Sequence, residues 1–221
     1  MNQPLPAVVP AAEVIDGGVS AYRVLSTTEH FAGRVISVYT DEVEMPGGAV
    51  AARDIVRHPG AVGVVALDDD DRVLLVRQYR HAVRRQLWEP PAGLLDVPGE
   101  RADVTAAREL YEEAGYRARQ WHVLADYYTT PGMCDEALRL FLARDLTPVA
   151  DTDRFVGEHE EADMPASWVP LDHAVELVLS GRLHNPTAVV GILAAAAARA
   201  TGWTSLRPAD VPWPERPDHS A

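Results

Sequence analysis

One helical turn with three glutamates constrains this chain more than any other feature. Glu109, Glu112 and Glu113 follow Arg108 and precede Gly115 in the run R-E-L-Y-E-E-A-G. At about 100° per residue, Glu109 and Glu113 lie about 40° apart on a helix, with Glu112 on the same side. Like charges at this spacing destabilise an isolated helix by roughly a few tenths of a kcal/mol per pair. The pattern therefore favours a cation between the carboxylates, and hard divalent ions such as Mg²⁺ or Mn²⁺ prefer oxygen ligands and bridge to phosphates.

The residues around the glutamates predict the helix that carries them. Leu110 and Ala114, with Ala107 a turn earlier, form an apolar arc that can face a core. Asp103 is an acceptable N-cap, and Gly115 predicts the C-terminal end of the helix.

The segment from Gly93 to Tyr116 resembles the Nudix box, whose pattern is Gly, five residues, Glu, seven residues, and Arg-Glu-(aliphatic)-x-Glu-Glu-x-Gly-(aliphatic). The chain matches this pattern at Gly93, Glu100, Arg108, Glu109, Leu110, Glu112, Glu113 and Gly115. It departs from it twice, because six residues separate Gly93 from Glu100 and Tyr116 replaces the final aliphatic residue. Seven fixed positions recur by chance on the order of once in 10⁸ windows, so a solvated acidic helix face is the weaker interpretation.

Composition limits the classes of function that remain open. The net charge is −13 and all 20 basic residues are Arg, which disfavours nucleic-acid binding by a broad basic surface. The single Cys134 excludes an intramolecular disulfide and fits a reducing compartment. The N-terminus lacks the features of a signal peptide, and the most apolar stretch, from Ala188 to Ala198, is too short to span a bilayer. These observations predict a cytoplasmic protein with no membrane or nucleic-acid partner.

The resemblance implies an α/β Nudix fold, a mixed β-sheet sandwiched between helices, with a small N-terminal antiparallel β segment. We expect three parts along the chain: a flexible N-terminus and the antiparallel segment over residues 1–57, the Nudix catalytic domain over 58–205, and a Pro-rich tail over 206–221. The antiparallel segment is too small for a core of its own, and by resemblance it is exchanged across a homodimer. Within the domain, the hydrophobic patterns predict strands over 60–67, 72–79, 121–128, 137–143 and 167–171, and helices over 172–179 and 187–200.

Features outside the box indicate one branch of the family. Pro131 lies sixteen residues past Gly115, inside T-T-P-G-M-C-D-E, and a proline near that spacing is typical of the ADP-ribose pyrophosphatase branch. The segments Y-R-H-A-V-R-R-Q-L-W-E-P-P-A-G, P-G-M-C-D-E and H-E-E-A-D-M also resemble that branch. The resemblance covers roughly residues 34–200.

The resemblance implies the roles of the catalytic residues. Glu109 and Glu113 are expected to hold Mg²⁺ or Mn²⁺ together with the backbone carbonyl of Ala92. Glu112 is expected to be a further ligand or a partner of the ligands, and Arg108 to orient the glutamates by charged hydrogen bonds. The general base is expected in Glu160-Glu161-Ala162-Asp163, where Glu161, beside the metal, is favoured and Glu160 is its rival.

The expected substrate contacts are more widely spread. Arg80 matches a diphosphate-binding position, and Arg53 matches a position that reaches the substrate of the neighbouring subunit. Asp54 and Glu89 are candidates for contacts to ribose or adenine. Pro131 and Cys134 belong to the substrate loop, where Cys134 occupies a position at which relatives commonly have a small hydroxyl residue.

The predicted reaction is hydrolysis of ADP-ribose to AMP and ribose 5-phosphate. Another Nudix pyrophosphatase, acting on ADP-sugars, GDP-mannose or a flavin or nicotinamide dinucleotide, is the nearest alternative. A catalytically silent Nudix module that binds ADP-ribose as a regulatory ligand is the alternative from another class. Such modules typically lose one of the box glutamates, whereas this chain keeps Glu109, Glu112 and Glu113.

Overall fold

The computed structural model describes residues 10–11, 14–16, 22–150, 152, 155 and 164–217. Glu160 and Glu161, the candidates for the general base, and most of the expected flexible N-terminus lie outside these residues. The described chain forms, in order, β1 (Val24–Ala32), β2 (Ser37–Glu44), β3 (Val50–Arg57), β4 (Ala61–Ala66), β5 (Arg72–Arg80), β6 (Arg85–Glu89), β7 (Ala92–Leu94), α1 (Ala102–Ala114), β8 (Tyr116–Tyr128), β9 (Ala137–Pro148), β10 (Ala166–Pro170), α2 (Leu171–Leu179), α3 (Pro186–Ala200) and β11 (Arg207–Pro208).

A mixed five-stranded sheet forms the centre of the catalytic domain. Its order is β11-β8-β9-β4-β7, in which β4 and β9 are parallel and the other neighbours are antiparallel. Every residue of β4 is buried, as expected for a continuous apolar run with a neighbour on each side. β8 and β9 extend beyond the predicted strands because their pairing continues from Tyr128↔Ala137 to Tyr116↔Pro148. A second, antiparallel sheet has the order β10-β5-β6.

Alternating side chains of β4 pack against helices on opposite faces of the sheet. Val62 and Val64 lie in one buried cluster with Leu110 of α1. Val65 lies in the other cluster with Ile192 of α3. Since side chains alternate along a strand, these clusters place α1 on one face and α2 and α3 on the other. The predicted α/β fold, with a mixed sheet between helices, is confirmed.

The N-terminal sheet is antiparallel, as predicted, and has three strands in the order β1-β2-β3. All nine residues of β1 are exposed. Phe31 and Val50 are each 54% exposed, and Val24 is 49% exposed. This sheet therefore presents apolar side chains that the described chain does not cover.

The chain after residue 206 packs against the catalytic domain, which its Pro-rich composition did not indicate. β11 pairs with β8. The guanidinium carbon of Arg139, a residue only 2% exposed, lies 4.6 Å from the ring centroid of Trp213. Arg216 donates to the backbone carbonyls of Pro59 and Leu95 at 3.1 and 3.2 Å. The segment is held by contacts to residues that are distant in sequence.

The start of α1 differs from the prediction and its end does not. Asp103 was the expected N-cap, but Arg101 occupies the cap position and no side chain caps the helix. Asp103 lies in the first turn, where a negative charge is stabilised by the helix dipole, and Arg101 donates to its carboxylate at 3.0 and 2.9 Å. Gly115 ends the helix at φ 68°, in the left-handed region. None of the described helices is long and apolar enough to cross a membrane.

Candidate active site

The edge strand β7 supplies backbone groups to the site. Pro91 accepts a hydrogen bond from β4 at 2.8 Å and Leu95 donates one to the loop before β4 at 3.0 Å. Because paired residues alternate along an antiparallel ladder, the amide and the carbonyl of Ala92 face away from β4. The Ala92 N–H donates to Oε2 of Glu113 at 2.9 Å. The Ala92 carbonyl therefore opens on the side of the sheet where the Glu113 carboxylate lies.

Gly93 makes room for Glu109. A Cβ atom at residue 93 would lie 2.1 Å from both Cδ and Oε1 of the Glu109 side chain. Such contacts are shorter than any real Cβ contact, so only glycine lets the Glu109 carboxylate rest against the strand. Glu109 itself is 9% exposed. The glycine at the start of the motif thus has a steric role in this chain.

Arg108 connects the acidic side chains of the turn. One terminal nitrogen, Nη1, donates to Glu109 at 2.7 Å and to Glu112 at 3.1 Å. The other, Nη2, donates to Glu100 at 3.1 Å. Hydrogen bonds from Arg108 and then from Thr105 lower the pKa of the Glu100 carboxyl. Glu100 therefore contacts Arg108 although the loop after Gly93 is one residue longer than in the motif. Arg108 also makes the expected hydrogen bonds to Glu109 and Glu112.

The ionised form of the Glu113 carboxyl is unfavourable without a nearby cation. Burial raises its pKa to about 8; the hydrogen bond from Ala92 opposes this, and the charges of Glu109 and Glu89 add to it. A positive ion beside such a group favours its ionised form. The atoms gathered here that could bind a metal are all oxygens, the ligand type that Mg²⁺ and Mn²⁺ prefer. The residues present therefore fit a hard divalent cation.

Side chains alone do not enclose that cation. Among the described residues, no group of three or more His, Cys, Asp or Glu side chains comes together closely enough to hold a metal. Mg²⁺ is commonly held by one or two carboxylates together with water and substrate phosphates. Glu109, Glu113 and the Ala92 carbonyl match that kind of open site.

Arg80 and Glu89 form an ion pair beside the turn. Nε of Arg80 lies 2.9 Å from Oε1 of Glu89 and donates to Oε2 at 3.2 Å. Glu89 is 2% exposed, and Asn185 also donates to its Oε2. Burial raises the pKa of Glu89, and Arg80 opposes that shift. The expected contact of Glu89 to ribose or adenine stays a prediction; its contacts in the structure are to Arg80 and Asn185.

Arg53 and Asp54 lie on β3, in the N-terminal sheet. Arg53 donates to the carbonyl of Ala52 at 2.9 Å, and Asp54 accepts a hydrogen bond from Thr40 at 2.6 Å. Among the described residues, their side chains bond within this sheet and to Met45 in the turn between β2 and β3. The described chain thus does not bring them into contact with the carboxylate turn.

Pro131 and Cys134 lie in the loop between β8 and β9, which docks on the end of β3. Val56 of β3 accepts from Asp135 at 3.2 Å and donates to Met133 at 2.8 Å. The Cys134 N–H donates to the Thr130 carbonyl at 2.9 Å, and burial raises the pKa of its thiol. The loop therefore joins the N-terminal sheet to the catalytic domain, with Cys134 as a neutral thiol.

Asn185 is the residue that sequence analysis missed. The pair Asn185-Pro186 is typical of a helix start, since Asn is a strong N-cap and Pro is favoured in the first turn. That pattern could have placed the start of α3 correctly. Its hydrogen bond to Glu89 joins residues 96 positions apart, and no local pattern predicts such a contact.

A cavity of about 870 Å³ lies between the N-terminal sheet and the loop after β7. Its walls are Tyr39 and Arg57 of the N-terminal sheet, the loop after β7, and Trp213 and Arg216 near the C-terminus. None of the three turn glutamates lines it. The turn glutamates are therefore not part of this cavity, although Glu100, which accepts a hydrogen bond from Arg108, lies in its wall.

The chain is similar in sequence and in structure to known proteins. The NUDIX domain model matches residues 57–188. An ADP-ribose pyrophosphatase of Mycobacterium tuberculosis (strain ATCC 25618 / H37Rv) is 44% identical over 196 residues, which cover 89% of this chain and 93% of the relative. An ADP-ribose pyrophosphatase of Bacillus subtilis (strain 168) is 37% identical over 163 residues, covering 74% and 86%. The crystal structure of an ADP compounds hydrolase matches with a TM-score of 0.71 at 22% identity, covering 85% of this chain and 99% of that one.

Proposed function

This chain belongs to the Nudix hydrolase family, and we propose that it hydrolyses the pyrophosphate bond of ADP-ribose to give AMP and ribose 5-phosphate. The observation that carries this proposal is the glutamate turn seated on β7. There Ala92 binds Glu113 and Gly93 accommodates Glu109. A turn that only faced solvent would need neither contact.

The choice of ADP-ribose is supported by relatives and by the chain itself. Two relatives that are 44% and 37% identical are ADP-ribose pyrophosphatases. The diphosphate of ADP-ribose is anionic, and Arg80 provides a cation whose charge acts on Glu113. In a protein of net charge −13, a local arginine of this kind is needed to offset the overall repulsion of an anionic substrate.

Nudix hydrolases generally need a divalent metal, and we propose Mg²⁺ or Mn²⁺ for this chain. Glu109, Glu113 and the Ala92 carbonyl would hold it, with Glu112 as a further ligand or partner and Glu161 completing the site. When bound, the ion supplies charge neutralisation at the diphosphate and a more acidic water. The described residues contribute orientation, since Arg108 fixes both Glu109 and Glu112.

We assign Glu161 as the general base that removes the proton from the attacking water, with Glu160 as its rival. The carboxylate would stay ionised near neutral pH because cations favour its charged form. Glu161→Gln is expected to lower kcat strongly, while Glu160→Gln leaves most activity. The reverse result would assign the base to Glu160, and two active variants would remove both assignments.

The deciding experiment is hydrolysis of ADP-ribose by the purified protein with Mg²⁺ or Mn²⁺, with AMP measured as the product. Production of AMP that is abolished by a chelator is the expected result. Parallel assays with an ADP-sugar, GDP-mannose, and flavin and nicotinamide dinucleotides test the alternative pyrophosphatases. Tight binding of ADP-ribose without cleavage would instead favour the regulatory module.

We further propose a cytoplasmic homodimer formed through the sheet β1-β2-β3. The fully exposed β1 and the exposed side chains of Phe31 and Val50 support such an interface, because patches of this kind commonly mark interaction sites. Light scattering of the purified protein should give twice the chain mass of 24.1 kDa. A monomer at micromolar concentration would contradict the interface.

A further inference from the structure

Asn185 uses both ends of its side chain at the N-terminus of α3. Its Oδ1 accepts a hydrogen bond from the Ala188 N–H at 3.0 Å and so caps the helix. Because the oxygen is occupied by the cap, the amide nitrogen faces the other way and donates to Oε2 of Glu89. The residue is 6% exposed. One buried side chain thus joins the helix start to a carboxylate on β6.

Glu89 is the buried link between Asn185 and Arg80. A buried carboxylate is unfavourable unless it is both paired with a cation and hydrogen-bonded. Within the described part of the chain, Oε1 of Glu89 lies near Arg80 Nε but has no hydrogen bond of acceptable geometry. The orientation of Glu89 therefore depends on the donor from Asn185 and on the ion pair with Arg80.

Arg80 stands at the end of β5, with 44% of its side chain exposed. Its Nε is directed at Glu89, and no hydrogen bond to a described residue occupies the two terminal nitrogens of the guanidinium, which can bind another anion. The charge of Arg80 also lowers the pKa of Glu113, so the guanidinium lies within electrostatic reach of the glutamate turn. A guanidinium fixed at one nitrogen loses less conformational freedom when the fork binds a phosphate.

We propose that Asn185 is a positioning residue for the diphosphate of the substrate, acting through Glu89 to fix Arg80. The inference rests on the proposed function, since it takes a nucleoside diphosphate as the ligand of Arg80. It assigns Asn185 a role beyond capping α3. It also assigns Glu89 the role of holding Arg80.

Two substitutions of Asn185 separate its role as the cap of α3 from its role as a hydrogen-bond donor to Glu89. Asn185→Ser keeps a good N-cap but removes the amide that reaches Glu89, and Asn185→Asp keeps the cap while placing a carboxylate against Glu89. Thr187→Val is the matched control, because Thr187 lies on the same helix end, is also 6% exposed, and is bonded to Tyr127 instead of Glu89.

The expected readout is a change in substrate affinity without a change in turnover. The Kd of the non-hydrolysable analogue α,β-methylene ADP-ribose should rise about tenfold in Asn185→Ser and further in Asn185→Asp. KM should rise in parallel, while kcat and the affinity for Mn²⁺ alone stay near wild type. The Tm should fall, because the buried Glu89 carboxylate loses a hydrogen bond. Thr187→Val should leave the Kd unchanged. A loss of kcat and Tm with unchanged Kd would reduce Asn185 to a structural cap and overturn the proposal.

A double-mutant cycle tests whether the effect passes through Arg80. In the Arg80→Ala background, adding Asn185→Ser should raise the Kd of the analogue no further. If the wild-type protein is active and the losses of affinity from Arg80→Ala and Asn185→Ser add in the double variant, this inference is overturned and the proposed function stays intact. Absence of both ADP-ribose hydrolysis and analogue binding by the wild-type protein would instead refute the proposed function, and this inference with it.

Discussion

The glutamate turn of α1 and the N-terminal sheet are built in opposite ways. Glu109 is 9% exposed and rests on Gly93, and Glu113 is bonded to the backbone of β7. Every residue of β1, by contrast, is exposed. Arg53 and Asp54 are the substrate contacts expected from the N-terminal sheet. Among the described residues, their side chains bond within that sheet and to the turn between β2 and β3.

This difference separates two parts of the proposed active site. The metal-binding part is organised within one chain, because its carboxylates are fixed by Arg108 and by the edge of the central sheet. The substrate contact proposed for Arg53 has no counterpart among the described residues, where Arg53 bonds to Ala52 and Met45. Variants in the first part should therefore abolish turnover, and variants in the second part should weaken substrate binding.

Glu113→Gln should have the largest effect. The amide oxygen can still accept the hydrogen bond from Ala92, so the fold should be retained, but the anionic metal ligand is lost. We expect kcat to fall roughly 10³-fold, equivalent to about 4 kcal/mol of transition-state stabilisation. Steady-state AMP production measures this change. Glu112→Gln should lose less, since Glu112 is proposed only as a further ligand or as a partner of the ligands; near-normal turnover of Glu113→Gln would remove the metal assignment.

Gly93→Ala tests the contact between β7 and Glu109. The added Cβ would lie 2.1 Å from the Glu109 carboxyl, so the side chain must move away from the metal position. We expect kcat/KM to fall about 100-fold, which corresponds to about 2.7 kcal/mol, with weaker binding of Mn²⁺. Gly132→Ala is the control because a Cβ at residue 132 would meet no atom within 4 Å. Equal activities of the two variants would show that Glu109 does not need its place on Gly93.

The pH dependence of stability in metal-free protein should report the Glu113 carboxyl. Its pKa is about 8 in the folded protein, against an ordinary glutamate pKa of 4.5. Between these values the folded state holds a proton that the unfolded state has released, so the free energy of unfolding falls as the pH rises. Below this window both states are protonated, and above it both are ionised, so the contribution is constant there.

Urea denaturation with a chelator, at pH 5.5 and pH 7.5, measures this slope. Because Glu113→Gln does not titrate at this position, wild type should lose about 2 kcal/mol relative to the variant across these two values. Added Mn²⁺ should restore wild-type stability at the higher pH. Parallel pH profiles for the two proteins would mean that Glu113 is not buried in its neutral form.

The sequence predicted features whose causes are local. Gly115 was recognised as the end of α1 because a left-handed C-cap favours glycine whatever the rest of the fold does. The spacing of the glutamates predicted their common helical turn, because the periodicity of a helix is also a local property. The start of α1 was predicted wrongly at Asp103, since an acidic residue is favoured both at the N-cap and within the first turn.

Contacts between distant segments were not predictable from local patterns. The hydrogen bond between Asn185 and Glu89 and the packing of Trp213 on Arg139 depend on how the sheets bring remote residues together. The composition near residue 213 indicated a tail, because proline-rich sequence is a statement about local backbone preference and not about tertiary packing. The role of Arg53 at the substrate stays a prediction.

Arg53→Ala should have the smallest effect on the enzyme, and it tests where Arg53 acts. If Arg53 reaches the substrate of the partner subunit, the variant should raise KM about fivefold with little change in kcat, as expected for lost binding energy of about 1 kcal/mol. Steady-state kinetics with ADP-ribose measures this change. The Glu113→Gln variant supplies a matched partner, because it lacks turnover but keeps Arg53.

Refolding Arg53→Ala together with an excess of Glu113→Gln should restore a normal KM. In such a mixed dimer, the site with an intact Glu113 receives the intact Arg53 of the other subunit, so the two defects complement each other. The kcat per Arg53→Ala chain should stay constant while the KM returns to the wild-type value. A KM that stays raised in a mixture proven to contain mixed dimers would place Arg53 in the site of its own chain. The N-terminal sheet would then contribute to the active site of its own subunit.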